Sequence, residues 1–389
     1  MTIGQTPAAP CYTAHMQATA IVSGDFVRTG GMDVANYALA QRMAERGMST
    51  HVVAHRVADD LANTTGVVWH RVPKPLNSYL CGSPFLDLAG QRVARLIGRS
   101  AGRTVVNGGN CQVHDVNWVH YVHAAFEPQP QGSPLRRAKA VLERSLNLVR
   151  ERTAVRGARL VIANSERTRH DLERLGVDGS RIRTVYYGID PSRFAPADEQ
   201  QRAESGTALG LAGRLKVVFV GGLGDRRKGF DTLYAAWRQL CARSTWDCDL
   251  IVIGQGADLN RWRARAKSDG IEDRIRFLGF RSDVPAILAA CDALVAPTRY
   301  EAYGLGVHEA LCCGLPAIVS ADAGVAERFP AELTELLLQD PNSAEELLQR
   351  LDHWRGNAER LRASTIQLAA TLRRRTWATM ADEIISLIA

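Results

Sequence analysis

The 389 residues are enough for two or three domains, and 46% hydrophobic with 23% charged residues is a globular composition that excludes a disordered chain. Eight cysteines without a Cys-x-x-Cys pair, and no run of uncharged apolar residues long enough to span a bilayer, argue against a zinc module, a disulfide scaffold and a transmembrane protein. The net charge of +7 sits wholly in the first 200 residues, where 24 Lys/Arg face 17 Asp/Glu; the remainder is balanced.

Residues 1–17 have neither a basic n-region nor an apolar h-region and are expected to be a flexible leader in a cytoplasmic protein. Short apolar runs then alternate with amphipathic stretches, the pattern of β-α-β units around a parallel sheet. The first block has ATAIVS (18–23), STHVVAH (49–55), TVVNGG (104–109), NWVHYVH (117–123), RLVIANS (159–165) and RTVYYG (183–188), with helical periodicity over 34–46 and 166–175. Residues 135–159 read as a basic amphipathic helix, with eight basic and two acidic residues around Leu135, Ala138, Val141, Leu142, Leu146 and Val149. Such a helix lies on anionic headgroups at the inner face of a membrane, lines a groove for an acidic substrate, or simply packs on its own domain. No recognition-helix or aromatic RNA-binding pattern accompanies the charge, so nucleic acid is not an expected partner.

The polar, glycine-bearing stretch 195–213 has linker composition, and a second block follows: KVVFVGG (216–222), DLIVIGQG (249–256), IRFLGF (275–280), ALVAPT (293–298), PAIVS (316–320) and ELLLQ (335–339). The expected organisation is an α/β chain of two doubly wound, Rossmann-like domains. Residues 18–200 form the first domain, 201–213 a linker, 214–370 the second domain, and 371–389 a terminal helix. Ligands of such sheets bind beyond the carboxyl ends of the strands.

The segment ALVAPTRYEAYGLGVHEALCCGLPAIVS places Glu301 after a buried strand and Glu309 on the helix that follows. This resembles the Glu-x7-Glu pair, with its Glu-Ala (Glu309-Ala310) and Gly-x-Pro (Gly314-Leu315-Pro316) continuation, of the retaining family 4 glycosyltransferases of GT-B fold. Carboxylates accept well from sugar hydroxyls, and the unpaired N–H groups at a helix start suit a diphosphate. The resemblance implies that Glu301 meets the donor sugar and Glu309 the ribose, with Tyr303, Gly304 and Leu305 as backbone donors.

VGGLGDRRKGFD resembles the family's Gly-Arg-x…Lys-Gly element, whose Arg and Lys neutralise the donor diphosphate. Lys228-Gly229 matches. Gly222 stands where the family has Arg, and Arg227, or secondarily Arg226, is the expected substitute cation. Gly279-Phe280-Arg281 resembles the nucleobase loop, and Gly254-Gln255-Gly256 the Gly-x-Gly after the second strand. A dinucleotide fingerprint is not completed there. Gly30-Gly31 resembles the loop between donor phosphate and acceptor. The family's active-site His falls on His123, with His120 as fallback. Asn164-Ser165, Tyr187-Gly188-Ile189-Asp190, with Tyr187 replacing the family's usual Asn, Glu327 and the Trp377 helix resemble hinge and rim elements. The resemblance implies that residues 18–200 bind the acceptor and 214–370 the nucleotide sugar, with the helix of 371–389 crossing back to the first domain.

The activity implied is retaining transfer of a hexose from a nucleotide diphosphate sugar to an acceptor hydroxyl. The acceptor is a glycan, a lipid-linked compound or a small molecule, and neither metal nor other cofactor is expected. A GT-B epimerase or phosphorylase, and an inactive nucleotide-sugar-binding protein suggested by Gly222, are the alternatives.

Overall fold

The computed structural model describes residues 18–128, 134–211 and 213–389; the expected leader lies outside them. The first sheet has seven parallel strands: β1 (Thr19–Val22), β2 (Thr50–Ala54), β3 (Val67–Arg71), β4 (Arg103–Val106), β5 (Val116–Val119), β6 (Leu160–Ala163) and β7 (Ile182–Thr184). Their order is β3-β2-β1-β4-β5-β6-β7. Around it stand α1 (Gly31–Glu45), α2 (Tyr79–Gly98), α3 (Pro134–Gly157) and α4 (Glu166–Arg174). The sequence pattern misses β3 because VVWHR, at the sheet edge, is only partly buried and interleaves His and Arg with its apolar residues.

The expected linker is structured. α5 (Glu199–Ala208) begins at a capping box, Asp198 accepting from the Gln201 N–H while the Gln201 side chain returns to the Asp198 N–H. It is tied to the second domain by Arg202, whose guanidinium lies 2.6 Å from Asp292.

The second sheet has six strands: β8 (Leu215–Val220), β9 (Cys248–Ile253), β10 (Ile275–Gly279), β11 (Ala293–Ala296), β12 (Ala317–Ser320) and β13 (Leu337–Leu338), ordered β10-β9-β8-β11-β12-β13. Its helices are α6 (Phe230–Cys241), α7 (Leu259–Ser268), α8 (Val284–Ala289), α9 (Leu305–Cys312), α10 (Ala344–Gly356) and α11 (Ala358–Leu372). Strand β8 is flanked by β9 and β11, so the chain leaves β8 in one direction and β11 in the other. The crevice between their carboxyl ends is where a doubly wound sheet binds ligands.

The last helix, α12 (Trp377–Ile388), returns to the first domain. Met380, Ala381, Ile384, Ile385 and Ile388 are buried in that domain's core. At about 1.5–3 kcal/mol for each large apolar side chain, this burial outweighs the half-exposed Arg42–Asp382 pair at 2.7 Å, worth about 1 kcal/mol or less. The two chain crossings lie side by side, Ile189 bridging Thr376. A Cβ at Gly188 would stand 2.3 Å from the Thr376 carbonyl oxygen, so only glycine permits this crossing.

Candidate active site

At the end of β8 the chain makes a short 3-10 turn, Arg226–Lys228, closed by Gly229 at φ 71°. A Cβ on Gly229 would come within 1.8 Å of the Pro297 oxygen, so glycine is what allows this turn to press against the end of β11. That approach sets Lys228 Nζ 2.5 Å from Glu301 Oε2, both side chains largely shielded from solvent. Arg227 enters the same place. Its guanidinium donates to the Tyr300 carbonyl (3.1 Å), lies 3.7 Å from Glu301 and stands 5.7 Å from the centre of the Tyr121 ring. Arg226 turns the other way, to Asp231 at 3.1 Å. Two cations therefore meet one carboxylate although Gly222 is not Arg. A Cβ at Gly222 would meet nothing nearer than 3.9 Å.

The helix starts of both domains face this spot. Gly30 caps α1 at φ 88°, Gly304 caps α9 at φ 106°, and a Cβ on Gly31 would lie 3.6 Å from Leu305. The first turn of each helix has N–H groups without intrahelical acceptors, which favour an anion. Of Tyr303, only the backbone belongs here. Its side chain is buried, its hydroxyl 2.9 Å from His308 Nδ1 and its ring against Tyr187.

Glu309 sits one turn into α9. Among the described residues no hydrogen bond or ion pair joins it to Lys228 or Glu301. Burial pushes its carboxyl up to about 7, opposed only by Arg193.

From the first domain, β5 ends in the short turn His123–Ala125. The buried Glu151 of α3 accepts from the backbone N–H groups of His123 (2.9 Å) and Ala124 (3.3 Å), and its Oε1 lies 3.0 Å from His123 Nδ1. The His123 ring packs edge-on against Tyr121 at 5.0 Å, and Tyr121 against Tyr300 at 5.1 Å, so His123 borders the Glu301 loop. His120 is a core residue instead. It is buried between Trp118 and Tyr187, shares a hydrogen bond with the Tyr187 hydroxyl, and is pushed down to about 3 by desolvation. Tyr187, standing for the family's Asn, completes this network with Asn164 (3.2 Å).

Phe280 and Arg281 follow the end of β10. The Phe280 ring is 64% exposed, and Arg281 is held by Asp283 at 2.7 Å. Gly254, at φ 150°, packs against the Gly221 oxygen, where a Cβ would fall 1.8 Å away.

Sequence reasoning leaves out Glu151, Tyr121 and Tyr300. Glu151 had a detectable signal, an acid on the buried face of a basic helix in step with Ala154 and Val155. Glu327 proves to be a bridge between domains. It accepts from the N–H groups of Glu166 (2.9 Å) and Arg167 (2.7 Å) at the start of α4, and from the Tyr186 hydroxyl (2.9 Å).

The model of Glycosyltransferase Family 4 matches residues 29–193, and that of Glycosyl transferases group 1 matches residues 202–369. The D-inositol 3-phosphate glycosyltransferase of Salinispora tropica is 28% identical over 354 residues, spanning 83% of this chain and 73% of that one. Mannosylfructose-phosphate synthase of Agrobacterium fabrum is 29% identical over 232 residues, 56% of this chain and 49% of its own. Among solved structures, WaaG, a glycosyltransferase involved in lipopolysaccharide biosynthesis, superposes with a TM-score of 0.75 at 20% identity, covering 95% of this chain and 99% of that one. Anabaena HepE in complex with UDP-glucose gives 0.69 at 18% identity, covering 95% and 99%. These structural likenesses establish the GT-B fold. With that fold in place and each domain matched by its own family model, the chain belongs to the family 4, group 1 glycosyltransferases.

Proposed function

We propose that the chain transfers a hexose from a nucleotide diphosphate sugar to an acceptor hydroxyl, with retention of anomeric configuration and without a metal. The observation that carries this reading is the Lys228–Glu301 pair, with Arg227 beside it, between two facing helix starts. Without donor, lysine and carboxylate neutralise each other. A bound diphosphate takes Lys228 and Arg227 as its counter-ions, and Glu301 is released to accept from the sugar hydroxyls. Two cations and the N–H groups of α1 and α9 supply the charge that a divalent ion supplies elsewhere. Glu309, once ionised, accepts from the ribose, and the exposed Phe280 ring offers a face to the base. Glu151 fixes His123 at Nδ1, leaving Nε2 for the sugar. The departing phosphate stays beside the acceptor hydroxyl on the same face, which makes it the base for front-face attack. The UDP-glucose complex of HepE supports a nucleotide sugar as donor.

Thermal shift against UDP-, GDP- and ADP-sugars identifies the donor, because a ligand that binds only the folded state raises its melting point. Product NMR then reads the anomeric configuration. An inverted product, or activity abolished by EDTA and restored by manganese, overturns the mechanism.

We further propose that α3 rests on an anionic lipid surface. Val141, Leu142, Leu146 and Val149 of its apolar stripe are exposed on a strongly basic helix. Among the described residues no helix is long and apolar enough to cross a membrane. Co-sedimentation with phosphatidylglycerol vesicles but not phosphatidylcholine vesicles, lost in a Leu142→Glu, Val149→Glu double variant, is the expected result. Equal binding to both vesicles refutes it.

A further inference from the structure

The turn that carries Arg227 and Lys228 has a second face. Behind it, between α6 and α7, lies a cavity of about 370 Å³, at the small end of the range for metabolite sites. Its wall includes Gly224, Asp225 and Arg226, the residues immediately before the two donor-site cations. The floor is aromatic: Trp262 packs at 5.1 Å from Phe230 and 5.0 Å from Tyr234.

Four arginines line the space, Arg226, Arg238, Arg261 and Arg265. The guanidinium of Arg261 lies 5.1 Å from the Trp262 ring centre and that of Arg265 5.6 Å from Tyr234, contacts that hold charged groups in place. Their ion pairs are loose. Arg261 stands 3.6 Å from Asp258 and Arg265 3.6 Å from Asp269, both beyond hydrogen-bond distance. Of the lining acids, Asp225 pairs with Arg227 at 3.1 Å, and Asp231 pairs with Arg299 at 2.8 and 3.0 Å as well as with the lining Arg226 at 3.1 Å. Neither Arg227 nor Arg299 lines the cavity. Arg227 and Arg299 thus offset two of the three lining carboxylates from outside, and the four lining arginines leave the cavity cationic.

We propose that this cavity binds a phosphate group, free or carried on a small metabolite, and that its occupancy tightens nucleotide binding in the cleft. Guanidinium forks match phosphate oxygens in geometry and charge. The coupling is mechanical. Arg226 and Lys228 are ends of one three-residue turn, and Arg299 binds the far side of that turn, its N–H donating to the Arg227 oxygen at 2.8 Å. An anion that draws on Arg226, already held to Asp231 at 3.1 Å, adds a further tie to the turn in the conformation that presents Arg227 and Lys228 to the donor. By linkage, the nucleotide must tighten the anion by the same factor.

Calorimetric titration of the full chain with inorganic phosphate and, separately, with a hexose 6-phosphate tests this. Submillimolar binding of at least one is expected, weakened about tenfold or more by Arg238→Gln or Arg265→Gln and retained in Lys228→Ala, which places the ligand outside the cleft. The anion should improve affinity for the best-binding nucleoside diphosphate about three- to tenfold. Tighter binding of the hexose phosphate identifies a metabolite as the ligand, and equal binding identifies free phosphate. The proposal is overturned by no binding of either anion, by binding insensitive to both arginine substitutions or lost with Lys228, or by nucleotide affinity unchanged when the anion is present.

Discussion

Glu309 makes the reading quantitative. Its carboxyl, ordinarily near 4.5, is pushed up to about 7 by burial, with only Arg193 opposing. Between those two values the folded protein holds a proton that the unfolded chain has released. Stability contributed at this position is therefore lost as the pH rises from 4.5 to 7, and above 7 the full cost of a buried carboxylate remains. At 1.36 kcal/mol per pH unit the interval sets a ceiling of about 3 kcal/mol, and because the Glu309 surface is only partly buried the expectation falls to about 1–2 kcal/mol. Glu309→Gln keeps the shape and removes the charge. Urea unfolding at pH 5 and pH 8 should show the variant gaining stability over the parent by about 1–2 kcal/mol more at pH 8 than at pH 5. Donor affinity should move oppositely. The parent binds nucleotide more tightly as Glu309 ionises through pH 7, and the variant shows no such rise. A stability difference identical at both pH values, or the same pH profile of donor affinity in both proteins, refutes the argument.

Glu301→Ala should abolish transfer with the circular dichroism spectrum unchanged, and residual activity near the parent's would remove the carboxylate from the chemistry. Lys228→Ala should lower kcat/KM about a hundredfold or more, because a preorganised charge at a leaving group is worth about 3–4 kcal/mol; unchanged donor kinetics would refute this. Gly222→Arg has open space at its Cβ, so it should fold normally and bind nucleotide as tightly as the parent or up to about tenfold tighter; calorimetry checks the affinity, and a lost fold contradicts the geometry. Glu327→Ala removes three hydrogen bonds between the domains and should cost about 1–3 kcal/mol in urea unfolding, with a lower kcat; unaltered stability and rate would show the bridge to be idle.

The strands were legible where burial is complete. β1, β6, β9 and β11 are apolar throughout or nearly so, as strands of a parallel sheet covered on both faces must be. β3 was not, because an edge strand carries His and Arg. α5 hid behind small and polar residues, since capping rather than an apolar face defines its start. In the site, resemblance to family motifs singles out Glu301 and Lys228, and the structure sets the two 2.5 Å apart. Its place last before the loop favours His123 over His120; the contacts behind the difference, Trp118 and Tyr187 enclosing His120 and Glu151 reaching His123 from another helix, were not legible. The choice of Arg227 over Arg226 turns on Asp231, which lies on the far side of the turn.

The position of Glu301 also links chemistry to domain closure. Its two neighbours in sequence are themselves contacts with the first domain. The Tyr300 hydroxyl accepts from the Val122 N–H at 3.2 Å, and the Ala302 oxygen accepts from Ser165 Oγ at 2.5 Å and Thr168 Oγ1 at 3.3 Å. Three consecutive residues thus bind the opposite lobe, the donor-site cations, and the opposite lobe again. Separating the domains would strip both supports from the loop that holds the carboxylate, while Lys228 and Arg227 stayed on their own turn. On the proposed function, in which Glu301 receives the sugar, an enzyme with its domains parted would hold that carboxylate without these two supports even with the diphosphate bound. On that reading closure and assembly of the site coincide, and an arrangement of this kind limits hydrolysis of a donor that arrives alone.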